Sequence, residues 1–135
     1  MSTFRLCILL SVIFIVGCGD GMVAVTGSIK YEGQVPESGT IAFISNGGAG
    51  TTYGGPYTNG KYEERVPEGE YLVRITGTKR VQLDTPIPHG TPGNPPITHQ
   101  DEQIIPDFYG QWSKLKITID KSKKTHNFDL KMPEE

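Results

Sequence analysis

Apolar residues in this chain recur at every second position in several stretches, and no segment carries them at a helical spacing. That period constrains the fold more than any other feature. Side chains alternate faces along a β-strand but return every three to four residues along a helix. Glu70–Thr76 is the clearest case, with Tyr71, Val73 and Ile75 on one face and Leu72, Arg74 and Thr76 on the other. Leu72 breaks the pattern of that second face, so the outer side of the strand is expected to be partly covered. Val23–Tyr31 alternates in the same way around Gly27, and a strand glycine signals a bulge or a close backbone approach. Thr40–Ser45 gives another strand, with Ile41, Phe43 and Ile44 as core residues. Asn59-Gly60 is the favoured dipeptide of a two-residue hairpin turn. Leu115, Ile117 and Ile119, then Phe128, Leu130 and Met132, read as a carboxy-terminal hairpin turning at Asp120–Lys124. With Gly 17 and Pro 10 in 135 residues, the expectation is one all-β domain over residues 22–132.

One segment departs from this pattern. Leu83–Gln103 contains Pro86, Pro88, Pro92, Pro95 and Pro96 with Gly90 and Gly93. Proline fixes φ and removes a backbone donor, so residues 83–103 are expected to form a long loop rather than a paired strand. A loop of that length in a small domain is either functional or mobile.

The amino-terminal segment belongs to a different physical class. Behind Arg5, the run Leu6–Val16 is almost wholly apolar but only eleven residues long. A helix crossing a bilayer needs about 20. A short apolar run behind a positive start predicts a secretory signal peptide over residues 1–17, removed on maturation. The run ends in Ile15-Val16-Gly17-Cys18, which resembles the lipobox of bacterial lipoproteins, with Ile15 in place of the commoner Leu. That resemblance implies cleavage after Gly17 and lipid attachment to Cys18, with residues 18–21 as a tether. The cysteine count agrees. Cys7 lies within the signal, so Cys18 would be the single thiol of the mature chain, and lipidation accounts for it. The expected location is a cell membrane or outer membrane, with the domain facing the periplasm.

The order of motifs in the mature chain carries a second resemblance. Val25-Thr26-Gly27-Ser28-Ile29, then Thr58-Asn59-Gly60-Lys61-Tyr62, then Val66-Pro67-Glu68-Gly69-Glu70-Tyr71-Leu72-Val73 are similar to the strand entries of carboxypeptidase regulatory-like, transthyretin-like domains. Small lipoproteins of planctomycete type carry such a domain and a motif like Ile105-Pro106-Asp107-Phe108-Tyr109 before the last strands. The resemblance implies a seven-strand Greek-key β-sandwich (transthyretin-like or Ig-like) and no reaction.

Few residues suggest chemistry. Removing Arg5 with the signal leaves 12 basic and 15 acidic residues, a net −3, and no basic stripe that would favour nucleic acid. Lys121, Lys123 and Lys124 read as a solvated turn. No Ser-His-Asp spacing or phosphate loop is present. The hydroxyisourate hydrolases share the transthyretin-like fold, but this chain lacks their tail and their early histidines. His89, His99 and Asp101 are the only residues on which an unrecognised enzyme site would draw, and with Glu102 they match no established metal spacing. No catalytic residue, metal or cofactor is expected. Phe108, Tyr109 and Trp112 form an aromatic cluster that serves either packing or ligand contact, with Tyr109 and Trp112 the named contacts for a sugar or peptide. The reading is a non-catalytic, membrane-anchored structural or interaction module of the cell envelope. Its partner would be an envelope protein or a glycan, and the alternative is a carbohydrate- or peptide-binding module using residues 83–112.

Overall fold

The computed structural model describes residues 21–134. The signal peptide, Gly17 and Cys18 lie outside the described residues. The chain is all-β, with strands β1 (Met22–Tyr31), β2 (Ser38–Ser45), β3 (Thr52–Thr58), β4 (Lys61–Pro67), β5 (Gly69–Ile87), β6 (Ile97–Gln103), β7 (Leu115–Ile119) and β8 (Phe128–Leu130). Among the described residues eight strands thus stand where seven were expected. One 3₁₀ turn, Asn46–Gly48, follows β2.

The strands form one curled, mixed sheet in the order β6-β5-β2-β3-β4-β1-β8, with β7 on β5 off that path. All pairs are antiparallel except β1 with β8. The curl originates at one corner. β3 pairs β2 along its whole length, and β4 pairs β1, but β3 and β4 meet only at Thr58↔Lys61. Asn59 and Gly60 turn that corner with φ of 52° and 67°, the two positive values a type I′ hairpin requires.

The two arms of the sheet then face one another. Phe43 from β2 lies 6.1 Å, ring to ring, from Tyr62 of β4, and Tyr62 lies 6.1 Å from Phe128 of β8. Val23, Val25, Ile29, Ile41, Phe43, Val66, Val73 and Ile75 are buried between them, as their alternation predicts. Three buried tyrosines tie the core to backbone rather than to water. Tyr57 donates to the Thr76 carbonyl, Tyr62 to that of His126 and Tyr71 to that of Pro67. Burial pushes all three hydroxyls above the ordinary tyrosine range, for Tyr71 with help from Tyr53.

Gly27 shows a close approach and not a bulge. The β1–β4 register runs unbroken from Met22 to Ser28, and a Cβ on Gly27 would overlap the His126 carbonyl. Leu72 is covered as expected. With Ile44 it is buried on the outer face of β5 and β2, and Gly48 of the 3₁₀ turn sits over it.

Two expectations need correction. The last two strands do not form a hairpin: β7 pairs β5, whereas β8 runs parallel to β1. Asp120 does cap a tight turn, accepting from the amides of Ser122 and Lys123. The chain then crosses to β1, where the Thr26 amide donates to Lys124 and the His126 amide to Thr26. Alternation encodes which face a residue takes but not which strand lies beside it. The open edge of β1 takes β8, and the edge of β5 takes β7.

The second correction concerns residues 83–103. β5 continues to Ile87, and β6 pairs with it from Ile97, so only residues 88–96 are loop. The prolines exclude pairing only where they sit. Four of them lie in 88–96, and Pro86 falls in the irregular stretch between the Gln82↔His99 and Ile87↔Ile97 pairs. A strand of 19 residues spans about 60 Å, so the distal half of β5 runs on well past the core. With β6 it forms a two-stranded arm.

Candidate functional site

The arm is the least buried element of the fold. All seven residues of β6 are exposed, and in β5 burial fades beyond Gly77. β6 has no buried face to impose alternation, which is why residues 97–103 carry no strand period. Ile87 and Ile97 pair across the strands near the tip at 50% and 43% exposure. Between Asp84 and Asp101 there is no Lys, Arg, Asp or Glu. The surface is therefore uncharged, Pro-rich and partly apolar.

The base of the arm is built by the next segment. The edge of β5 that β7 and β6 share is filled between them by residues 104–113. The Ile104 amide donates to Gly77, the Ile75 amide donates to Tyr109, and Ser113 Oγ donates to the Val73 carbonyl. A turn at 106–113 results, pinned by Tyr109 and Gly110 donating to Pro106 and Asp107. Gln103 reinforces it, donating from Nε2 to Asp107 Oδ1 at 3.1 Å.

This turn decides the fate of the aromatic cluster. Tyr109 is half-buried, packs edge-on against Tyr31 at 6.5 Å and against Phe108 at 5.1 Å, and donates its hydroxyl to the Lys131 carbonyl. Its structural work is accounted for. Trp112 is 64% exposed and Phe108 39%, so the packing role weighed for Trp112 is not what it does. The turn holds its backbone, through the Asp107 carbonyl, and leaves the indole in solvent. A cleft of about 400 Å³ lies between the arm base and the β1 end, lined by residues that include Tyr31, Lys79, Glu102 and Gln103.

The histidines and Asp101 are each engaged with a separate neighbour. His89 Nδ1 lies 3.4 Å from Asn94 in the loop, His99 Nδ1 bonds the Thr98 hydroxyl, and Asp101 pairs with Arg80 at 3.6 Å. Among the described residues no group of three His, Cys, Asp or Glu is placed to hold a metal. His126 accompanies the crossover to β1, its Nε2 lying 3.2 Å from the Lys123 carbonyl.

Two further hollows were not visible in the sequence. One, of about 260 Å³, opens at the Gly69 end of β5, with Glu70 and Lys116 on its rim and Gly47 above. The other, of about 570 Å³, is the open wedge where β3 and β4 diverge, lined by Tyr53, Glu63, Glu64 and Arg65. Burial raises the Glu64 carboxyl there. Both depend on strands distant in sequence, and no local motif marks them.

β1 begins at the end opposite the arm. Met22, first residue of β1, pairs with Pro67, two residues before β5 begins. Among the described residues no helix is long and apolar enough to cross a membrane. No protein-family model, curated protein or solved structure matches this chain.

Proposed function

We propose that this protein is a non-catalytic lipoprotein of the bacterial envelope, held by lipid on Cys18, whose β5–β6 arm is an interaction element. The observation that carries the anchor is the Gly17-Cys18 end of an apolar run too short to span a bilayer. The observation that carries the interaction role is the arm itself. A two-stranded ribbon that extends past the core is marginal alone, and the apolar Ile87–Ile97 pair left exposed near its tip is surface that a partner can cover. We further read the curled sheet as two facing layers of a Greek-key, carboxypeptidase regulatory-like sandwich. The single-pair corner between β3 and β4 and the Phe43–Tyr62 contact support this, as does the Tyr71 hydroxyl bonded four residues back, a device common at sandwich corners.

Fractionation of cells expressing the full chain tests the anchor. The wild type partitions with membranes and incorporates labelled fatty acid, and Cys18→Ser abolishes that labelling. A membrane-bound Cys18→Ser variant whose signal has been removed would refute the reading.

A second reading is supported by the exposure of Phe108 and Trp112, since flat sugar faces pack on aromatic rings. Trp112 is the chain's single tryptophan, so its fluorescence reports any oligosaccharide directly. Saturable quenching, lost in Trp112→Ala, is the expected result under this reading. Unchanged emission across a glycan panel removes it.

A further inference from the structure

We propose that the arm's partner is a second copy of this chain, paired antiparallel through the free edge of β6. The inference rests on reading the arm as the interaction element. The edge of β6 is open. Among the described residues β6 pairs only β5, it spans Ile97–Gln103 without a proline, and every residue of it is exposed. A row of unpaired amides and carbonyls of that length is a template for strand addition.

That edge is also self-complementary. A two-fold axis at Gln100 sets His99 opposite the second copy's Asp101, Thr98 opposite its Glu102 and Ile97 opposite its Gln103. No like charges face one another, and the acidic residues meet an imidazole and a hydroxyl. Centring the axis one residue later puts Asp101 opposite Asp101. Centring it one residue earlier puts Pro96, which has no amide hydrogen, opposite Glu102. An isologous contact of this kind closes at two copies.

The same operation acts on the rest of the arm. Residues 104–113 continue the line of β6 along β5, so an antiparallel partner carries its loop toward them. Pro96 comes level with the second copy's Ile104, and the uncharged 88–96 loop then lies over its Phe108–Trp112 turn. Proline rings pack on exposed aromatic faces, the chemistry by which Pro-rich segments are recognised. The tip cannot make this contact within its own chain, because the β-ribbon holds it about 30 Å from the arm base. One symmetry operation thus covers the free edge, the Pro-rich loop and the exposed indole.

Disulfide trapping of the full chain in detergent tests the register. Directly opposed residues of an antiparallel pair have Cβ atoms ~5 Å apart, within reach of a disulfide. Gln100→Cys is expected to give a covalent dimer under mild oxidant, at least about tenfold above wild type, with the new bond mapped to residue 100 in both copies. Asp84→Cys, exposed on the other strand, should give no such product. In sedimentation, Trp112→Ala should weaken association about tenfold while leaving the unfolding transition in place. A wild-type chain that stays monomeric overturns the proposal, as does a dimer that Gln100→Cys fails to trap. If the chain is monomeric but replacing residues 88–96 abolishes retention of another envelope protein, the second-copy assignment fails and the interaction reading stands. If the replacement changes nothing, both fail.

Discussion

At the scale of single residues, the close contacts of backbone and tyrosine hydroxyls set the sharpest expectations. Tyr57→Phe removes the donor to the Thr76 carbonyl and should cost about 1 kcal/mol in chemical denaturation. An unchanged midpoint would mean that the bond contributes nothing. Gly27→Ala drives a methyl into the His126 carbonyl and must push β1 away from the crossover, at a cost on the order of 1–3 kcal/mol. Asp120 supplies a pH expectation. Bonds from the Ser122 side chain, then from the Ser122 and Lys123 amides, hold its carboxyl below the ordinary value of 3.8. A depressed carboxylate stabilises the folded turn above its unfolded pKa and loses that contribution as pH falls through the folded one. The amide signals of Ser122 and Lys123 should therefore hold from neutral pH to below pH ~4 and shift only at more acid values. A midpoint at or above the ordinary aspartate range would contradict this. Residue faces were legible in the sequence: Val25, Ile29, Ile41, Phe43, Val73 and Ile75 are all buried as their alternation requires. Trp112 was not, because local sequence does not say whether a turn presents its aromatic inward or outward.

Among the elements, the arm and the 106–113 turn explain what the sequence withheld. A strand is recognised from one wet face and one dry face, and the distal half of β5 with β6 has no dry face, only Val81 and Leu83 half-buried on one side. Its prolines, confined to the tip and the irregular stretch before it, concealed the pairing. The carboxy-terminal strands were recognised, yet their partners were not, since β8 joins β1 across a crossover that no short-range signal specifies. Because the arm contributes almost nothing to the core, it should open independently of it. Hydrogen exchange should find amides of residues 79–87 and 97–103 exchanging well ahead of those in β1, β2 and the proximal half of β5. Replacing residues 83–98 by Asn-Gly should leave the unfolding free energy within about 0.5 kcal/mol of wild type. A large loss of stability would show that the arm packs on something in the folded domain.

For the molecule as a whole, placement ties the pieces together. β1 begins at Met22, four residues after Cys18 in sequence, where we propose the lipid is attached. The arm leaves from the other end of β5. The proposed lipid at one end and the proposed contact element at the other suit a module that holds its partner at a set distance from the membrane attachment point. The central claim of that account is the lipid on Cys18, and intact-mass spectrometry of the protein extracted from native membranes tests it most directly. The account predicts a chain beginning at Cys18, heavier than its sequence by a diacylglyceryl group with or without a further acyl chain. A chain that begins at any other residue, or one that begins at Cys18 and carries no added mass, would contradict it.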